Sequence, residues 1–197
     1  MAVEEHSVLL VVDVQNDFCP GGALAVFEGD AIIPRLNEYI HLFHTLGHPV
    51  AASRDWHPPE TTHFQAQGGP WPPHCVQGTA GAEFHPRLDL PAAAEVFSKG
   101  MGADEDAYSA FQARNEAGLT LPERLRELGV RRVYIGGLTL DYCVQSSALD
   151  ALAAGLDATV LMDATRAVNV RPHDAELAVE ELIRAGVQLA TFETLLL

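Results

Sequence analysis

Six short β-rich apolar runs recur along the chain, with helical periodicity in most of the gaps between them, and this alternation restricts the fold more than any other feature. The runs are SVLLVVDV from residue 7, PVAAS from 49, EVFSK from 95, RRVYIGGL from 131, ATVLMD from 158 and VQLATF from 187. Such runs, separated by helices, predict a mostly parallel α/β sheet covered by helices on both faces. Between residues 30 and 46, Ile32, Ile33, Leu36, Ile40 and Phe43 fall on one stripe that ends at Gly47. Thr120 with Glu123 reads as a capping box for a helix that stops at Gly129. Ala175, Ala178, Val179, Leu182 and Ile183 form a third stripe before Gly186. Val144, Ser147, Ala148, Ala151 and Leu152 make a small-residue stripe ending at Gly155, so this helix can lie close against a sheet. Prolines at 58, 59, 70, 72, 73 and 86 exclude regular helix or central strand from the segment between the second and third runs, which reads as a long functional loop at about 55–90.

At 197 residues the chain is the size of one large domain, expected to span 1–197. Its formal charge of -15, from 27 acidic and 12 basic residues, repels phosphate backbones and anionic lipid. No nucleic-acid and no membrane partner is expected, and a small neutral or zwitterionic substrate fits better. The opening MAVEEHSVLLVVDV is acidic and is interrupted by Asp13 too early for a signal peptide or a span, so the expected location is the cytoplasm. Cys19, Cys75 and Cys143 form no C-x-x-C pair, which argues against a disulfide framework or a structural zinc knuckle.

In open parallel sheets ligands bind at the carboxyl ends of the strands, so the polar residues there carry the functional argument. Asp13 closes the first run, Asp55 and His57 follow the second, Lys99 ends the third and Cys143 follows the fourth. Cys143 is the nucleophile candidate, because the positive end of a helix would stabilise its thiolate. Asp13, buried at a strand end, would have a raised pKa suited to accepting the thiol proton. Taken singly, these residues also read as a core thiol, a cap and a solvated lysine; their convergence on one edge is the signal. DWHPPETTHF and WPPHC place Asp55, His57, His63 and His74 in the proline-stiffened loop, a mixed N/O ligand set for zinc, manganese or iron. His41, His44 and His48 lie away from the apolar stripe and should be exposed. His6, His85 and His173 lack nearby partners in sequence, and Cys19 and Cys75 read as structural.

VDVQNDFCPGGALAV, SRDWHP, WPPHCVQGT, FHP, KG, AYSAF and GLTLDYCV stand in the order and spacing of nicotinamidases, within the isochorismatase-like cysteine hydrolases, and the chain resembles that family over almost its whole length. The resemblance implies a single-domain three-layer α/β/α fold with a six-stranded sheet and a Cys143, Asp13, Lys99 triad. It implies metal ligands Asp55, His57 and His74, with His63 the fourth, and one divalent ion, Zn before Fe or Mn. It also implies a cis peptide joining Leu138 to Thr139, an oxyanion hole from the backbone N–H groups of Thr139 and Cys143, and aromatic walls from Phe18, Trp71 and Tyr108. The implied substrate is nicotinamide, with close pyridine and pyrazine carboxamides, hydrolysed in NAD salvage through a cysteine thioester; self-association is left open. Two other readings of the residues remain at this stage, a metal-hydroxide hydrolase in which Cys143 is structural and a related cysteine amidase acting on a carbamoyl or ureido amide.

Overall fold

The computed structural model describes residues 3–105 and 107–196. All six expected strands form: β1 (Ser7–Val12), β2 (Val50–Asp55), β3 (Glu95–Lys99), β4 (Arg132–Leu138), β5 (Asp157–Arg166) and β6 (Gln188–Ala190). They make one sheet of order β3-β2-β1-β4-β5-β6 in which every neighbouring pair is parallel. β1 is buried along its whole length, as a central strand covered on both sides must be. Its alternation divides the core: Val8, Leu10 and Val12 face one layer, while Leu9 and Val11 face the other.

Two helices, α1 (Ile33–Thr45) and α5 (Phe192–Leu196), cover the second face; α2 (Leu121–Glu127), α3 (Gln145–Ala153) and α4 (Asp174–Ala185) cover the first. The expected α1 stripe is buried from Ile32 through Phe43. The capping box forms, with Thr120 N–H donating to Glu123 at 2.8 Å and Glu123 N–H to Thr120 Oγ1 at 3.4 Å. The α4 stripe is narrower than expected. Ala178 and Leu182 are buried, but Ile183 is 57% exposed, because α4 packs against α3, the turn before it and the β6 flank, where only one thin strip of helix meets protein. Among the described residues no helix is long and apolar enough to cross a membrane.

The order of strands reverses between β1 and β4, and that switch point opens a crevice at their carboxyl ends. Gly137 allows the two strands to meet there: its φ is +122°, and a Cβ would stand 2.1 Å from the Val12 carbonyl oxygen. The proline-rich segment after β2 contains only 3-10 turns at Gln65–Gln67 and Ala80–Ala82 and bridges such as His57↔Val76 and Phe64↔Trp71. It folds back over the crevice mouth.

Candidate active site

The strand ends deliver their reactive groups to one buried point. Asp13 follows β1 with φ 49°, its N–H donating to the Ser53 carbonyl at 3.1 Å and its Oδ1 accepting from the Ser53 hydroxyl at 2.7 Å. Lys99, fully buried at the end of β3, puts Nζ 2.9 Å from Asp13 Oδ2, against Asp55 Oδ1, and 3.6 Å from Cys143 Sγ. An ammonium has three protons to donate, and three acceptors surround this one. Asp13, Asp55 and Cys143 bring one oxygen, one oxygen and the sulfur within 4.8 Å of one another.

Burial raises the Asp13 pKa above the ordinary carboxylate value, and Lys99 opposes this only in part. This direction agrees with the sequence expectation. For Lys99, burial disfavours the charge, but Asp13 and Asp55 overcome it and hold the ammonium well above its usual range. Cys143 departs from expectation. It lies in a π-helical turn, Leu140–Val144, that leads into α3, and burial pushes its thiol well up, Lys99 opposing and the two carboxylates reinforcing. Burial therefore works against the thiolate that nearness to a helix end would favour.

Asp55 has a second connection that its role in the loop did not suggest. Oδ1 pairs with Lys99, while Oδ2 faces the histidines, 3.7 Å from His57 Nε2 and 3.9 Å from His74 Nε2. Burial raises its pKa, but Lys99 and His57 outweigh that and keep it ionised. His57, His63 and His74 are buried, with one ring nitrogen of each within 4.8 Å of the others. His57 Nδ1 lies 3.1 Å from the Gly100 carbonyl and His74 Nδ1 2.7 Å from the Pro72 carbonyl. A carbonyl can only accept, so each Nδ1 carries the proton and each Nε2 presents a lone pair. The His57 Nε2 is buried without a hydrogen-bond partner among the described residues, and burial lowers the His74 pKa to about 4. Buried imidazoles grouped beside a carboxylate suit a divalent cation.

Two positioning residues escaped the sequence reading. The Gln15 side chain clasps the Asp55 backbone, donating to its carbonyl and accepting from its N–H, both at 2.8 Å; Ser53 holds Asp13 from β2. Neither residue belongs to a chemically suggestive pattern, so only the three-dimensional pairing reveals them. Of the remaining histidines, His41 and His44 are exposed as expected and His48 is half-buried beside Phe43. His173 pairs with Glu176 at 2.6 Å, and His85 accepts from the Arg87 N–H at 3.2 Å; both therefore have partners two or three residues away, contrary to expectation. Cys19 and Cys75 are buried and free.

Phe18, Trp71 and Tyr108 line a cavity of about 30 Å³ together with Thr139 and Cys143. Trp71 donates from its indole N–H to the Tyr108 hydroxyl at 2.9 Å. Tyr142 closes the same wall, 5.2 Å from Trp71 in an edge contact and 5.7 Å from Tyr108; its place beside the nucleophile in DYCV is the signal that could have found it. The Leu138–Thr139 peptide is cis, as expected, and the Thr139 carbonyl accepts from the Tyr142 and Val144 N–H groups at 3.2 and 3.0 Å.

Residues 7–193 match the model of the isochorismatase domain. A nicotinamidase of Escherichia coli is 41% identical over 93% of this chain and 93% of its own length. A pyrazinamidase of Pyrococcus horikoshii, solved in complex with zinc, superposes with a TM-score of 0.88 at 46% identity, over 95% of this chain and 99% of that one. A protein of L. infantum solved in complex with nicotinate gives a TM-score of 0.86 at 36% identity, covering 99% and 97%.

Proposed function

Because the chain belongs to the isochorismatase domain family, we propose that it is an amidohydrolase converting nicotinamide and water to nicotinate and ammonia. The observation that carries this reading is the meeting of Cys143, which lines an aromatic-walled cavity, with Asp13 and Lys99 buried behind it, with nicotinamidase relatives over nearly the full chain.

Asp13 takes the Cys143 thiol proton, for which its raised pKa suits it. The sulfur attacks the carboxamide carbon, and the resulting oxyanion is received by the Thr139 and Cys143 N–H groups. Asp13 returns the proton to the nitrogen, the C–N bond breaks and ammonia leaves a thioester. The same carboxylate then deprotonates a water that attacks the thioester carbon; nicotinate departs and the sulfur recovers its proton. Lys99, touching both Asp13 and Sγ, favours the charged forms of each through these transfers. Phe18, Trp71 and Tyr108 sandwich the ring and keep water away from it.

Asp55, His57, His63 and His74 would hold one divalent ion, most simply the zinc of the P. horikoshii neighbour. When bound, such an ion supplies Lewis-acid polarisation and a fixed point for a ring nitrogen. Gly100 supports this cluster closely, since a Cβ at its φ of +62° would stand 2.4 Å from the His57 ring. Gly100→Ala should therefore displace His57 and weaken zinc affinity by about 10- to 100-fold, read by competition with a chromophoric chelator; unchanged affinity would remove His57 from the ligand set.

The direct test of the function is ammonia release from nicotinamide by the purified, metal-supplemented protein. Turnover is expected with nicotinamide and with pyrazinamide, and no release from nicotinamide would overturn the substrate assignment.

A further inference from the structure

Thr139 contributes more to the cavity than a backbone N–H. The residue is 5% exposed, its backbone is extended at φ -113° and ψ 150°, and its Oγ1 is buried with no hydrogen-bond partner among the described residues. A buried hydroxyl without a partner costs free energy, and this one belongs to a residue on the wall of the substrate cavity, within one turn of the nucleophile. The other buried polar side chains on that wall are already engaged. Asp55 pairs with Lys99 and faces the histidines, while His63 and His74 belong to the imidazole cluster. Behind the wall, Asp13 accepts from Ser53 and pairs with Lys99.

A primary carboxamide presents two different faces to such a site. Its oxygen accepts hydrogen bonds and is served by N–H donors. Its nitrogen carries two hydrogens and offers no accessible lone pair, so an acceptor must recognise it. We propose that Thr139 Oγ1 is that acceptor: it binds the N–H of the scissile carboxamide and keeps the nitrogen turned toward Asp13, which must protonate it as it leaves. Thr139 is then a substrate-binding residue that selects amides from esters of the same acid. This inference rests on the amidohydrolase reading above and deepens it.

The test compares Thr139→Val, which keeps the shape and removes the hydroxyl, with Thr139→Ser, which keeps the hydroxyl. For Thr139→Val, kcat/KM for nicotinamide should fall about tenfold or more, while the thermal midpoint is unchanged or higher because an unpaired hydroxyl has gone. Thr139→Ser should stay within about threefold of wild type. Methyl nicotinate, which has no N–H, should compete against nicotinamide equally well in wild type and in Thr139→Val. Full amide turnover in Thr139→Val would overturn the inference, as would equal losses in the valine and serine variants or parallel weakening of the ester. Should the valine variant not fold, Thr139→Ala is read in the same comparison. A wild-type protein inert on nicotinamide would instead overturn the functional reading itself, so the two failures are distinct.

Discussion

Cys143→Ala is expected to lower kcat for nicotinamide by at least about 10³-fold, since removal of a covalent nucleophile leaves only binding and polarisation to accelerate the reaction. The thiol is buried against Lys99 and the core of the first face, so loss of its sulfur should cost only about 1 kcal/mol of stability through the small cavity left behind. Activity and stability thus separate, and ammonia release measured beside a denaturation midpoint distinguishes a dead enzyme from an unfolded one. The rival chemistry, hydroxide attack with Cys143 as a structural residue, predicts turnover within about tenfold of wild type. That outcome would eliminate the thioester route. The thioester route is the one that uses the contacts of the Lys99 ammonium with both the sulfur and Asp13.

The second large effect concerns that ammonium. Lys99→Met would take from Asp13 and Asp55, both buried, the ammonium that they share. Breaking a buried ion pair on one side typically costs about 3–5 kcal/mol, a large fraction of the total stability of a domain. We expect a loss of this size in chemical denaturation, together with a loss of activity of about 10²-fold or more. Lys99→Arg should not rescue activity. A planar guanidinium cannot replace a compact ammonium among two carboxylates and a sulfur grouped on three sides. If Lys99→Met retained wild-type stability, the pairing would not be holding the two carboxylates together and the account of the site's electrostatics would fail.

The fold was legible because burial on both faces writes itself into composition. The six apolar runs became the six strands, and the α1 stripe from Ile32 to Phe43 met the sheet as read. The reactive groups were legible for a related reason, since strand ends in a parallel sheet share one edge. What sequence could not convey was how close those ends come. The contact of Asp55 with Lys99, the clasp of Gln15 on Asp55 and the support of Asp13 by Ser53 depend on register between β1, β2 and β3, which no local pattern encodes. For Cys143 the nearness to a helix end was visible in the sequence, but the burial that raises its thiol was not. The exposure of Ile183 likewise reflects the peripheral seat of α4, a property of the assembled layers and not of a helical period.

The aromatic wall has a consequence for the rhythm of the reaction. A cavity of about 30 Å³ holds only about two water molecules, far too little for a heteroaromatic amide, so every catalytic cycle has to begin and end with the wall parted. Along the seam Trp71 donates a hydrogen bond to Tyr108, and both rings meet Tyr142. A single bond of that kind is worth roughly 1 kcal/mol, weak enough to be undone by ordinary thermal motion. Admission of substrate and escape of nicotinate therefore depend on loosening this seam, whereas the groups beneath it sit at the ends of strands paired within one sheet.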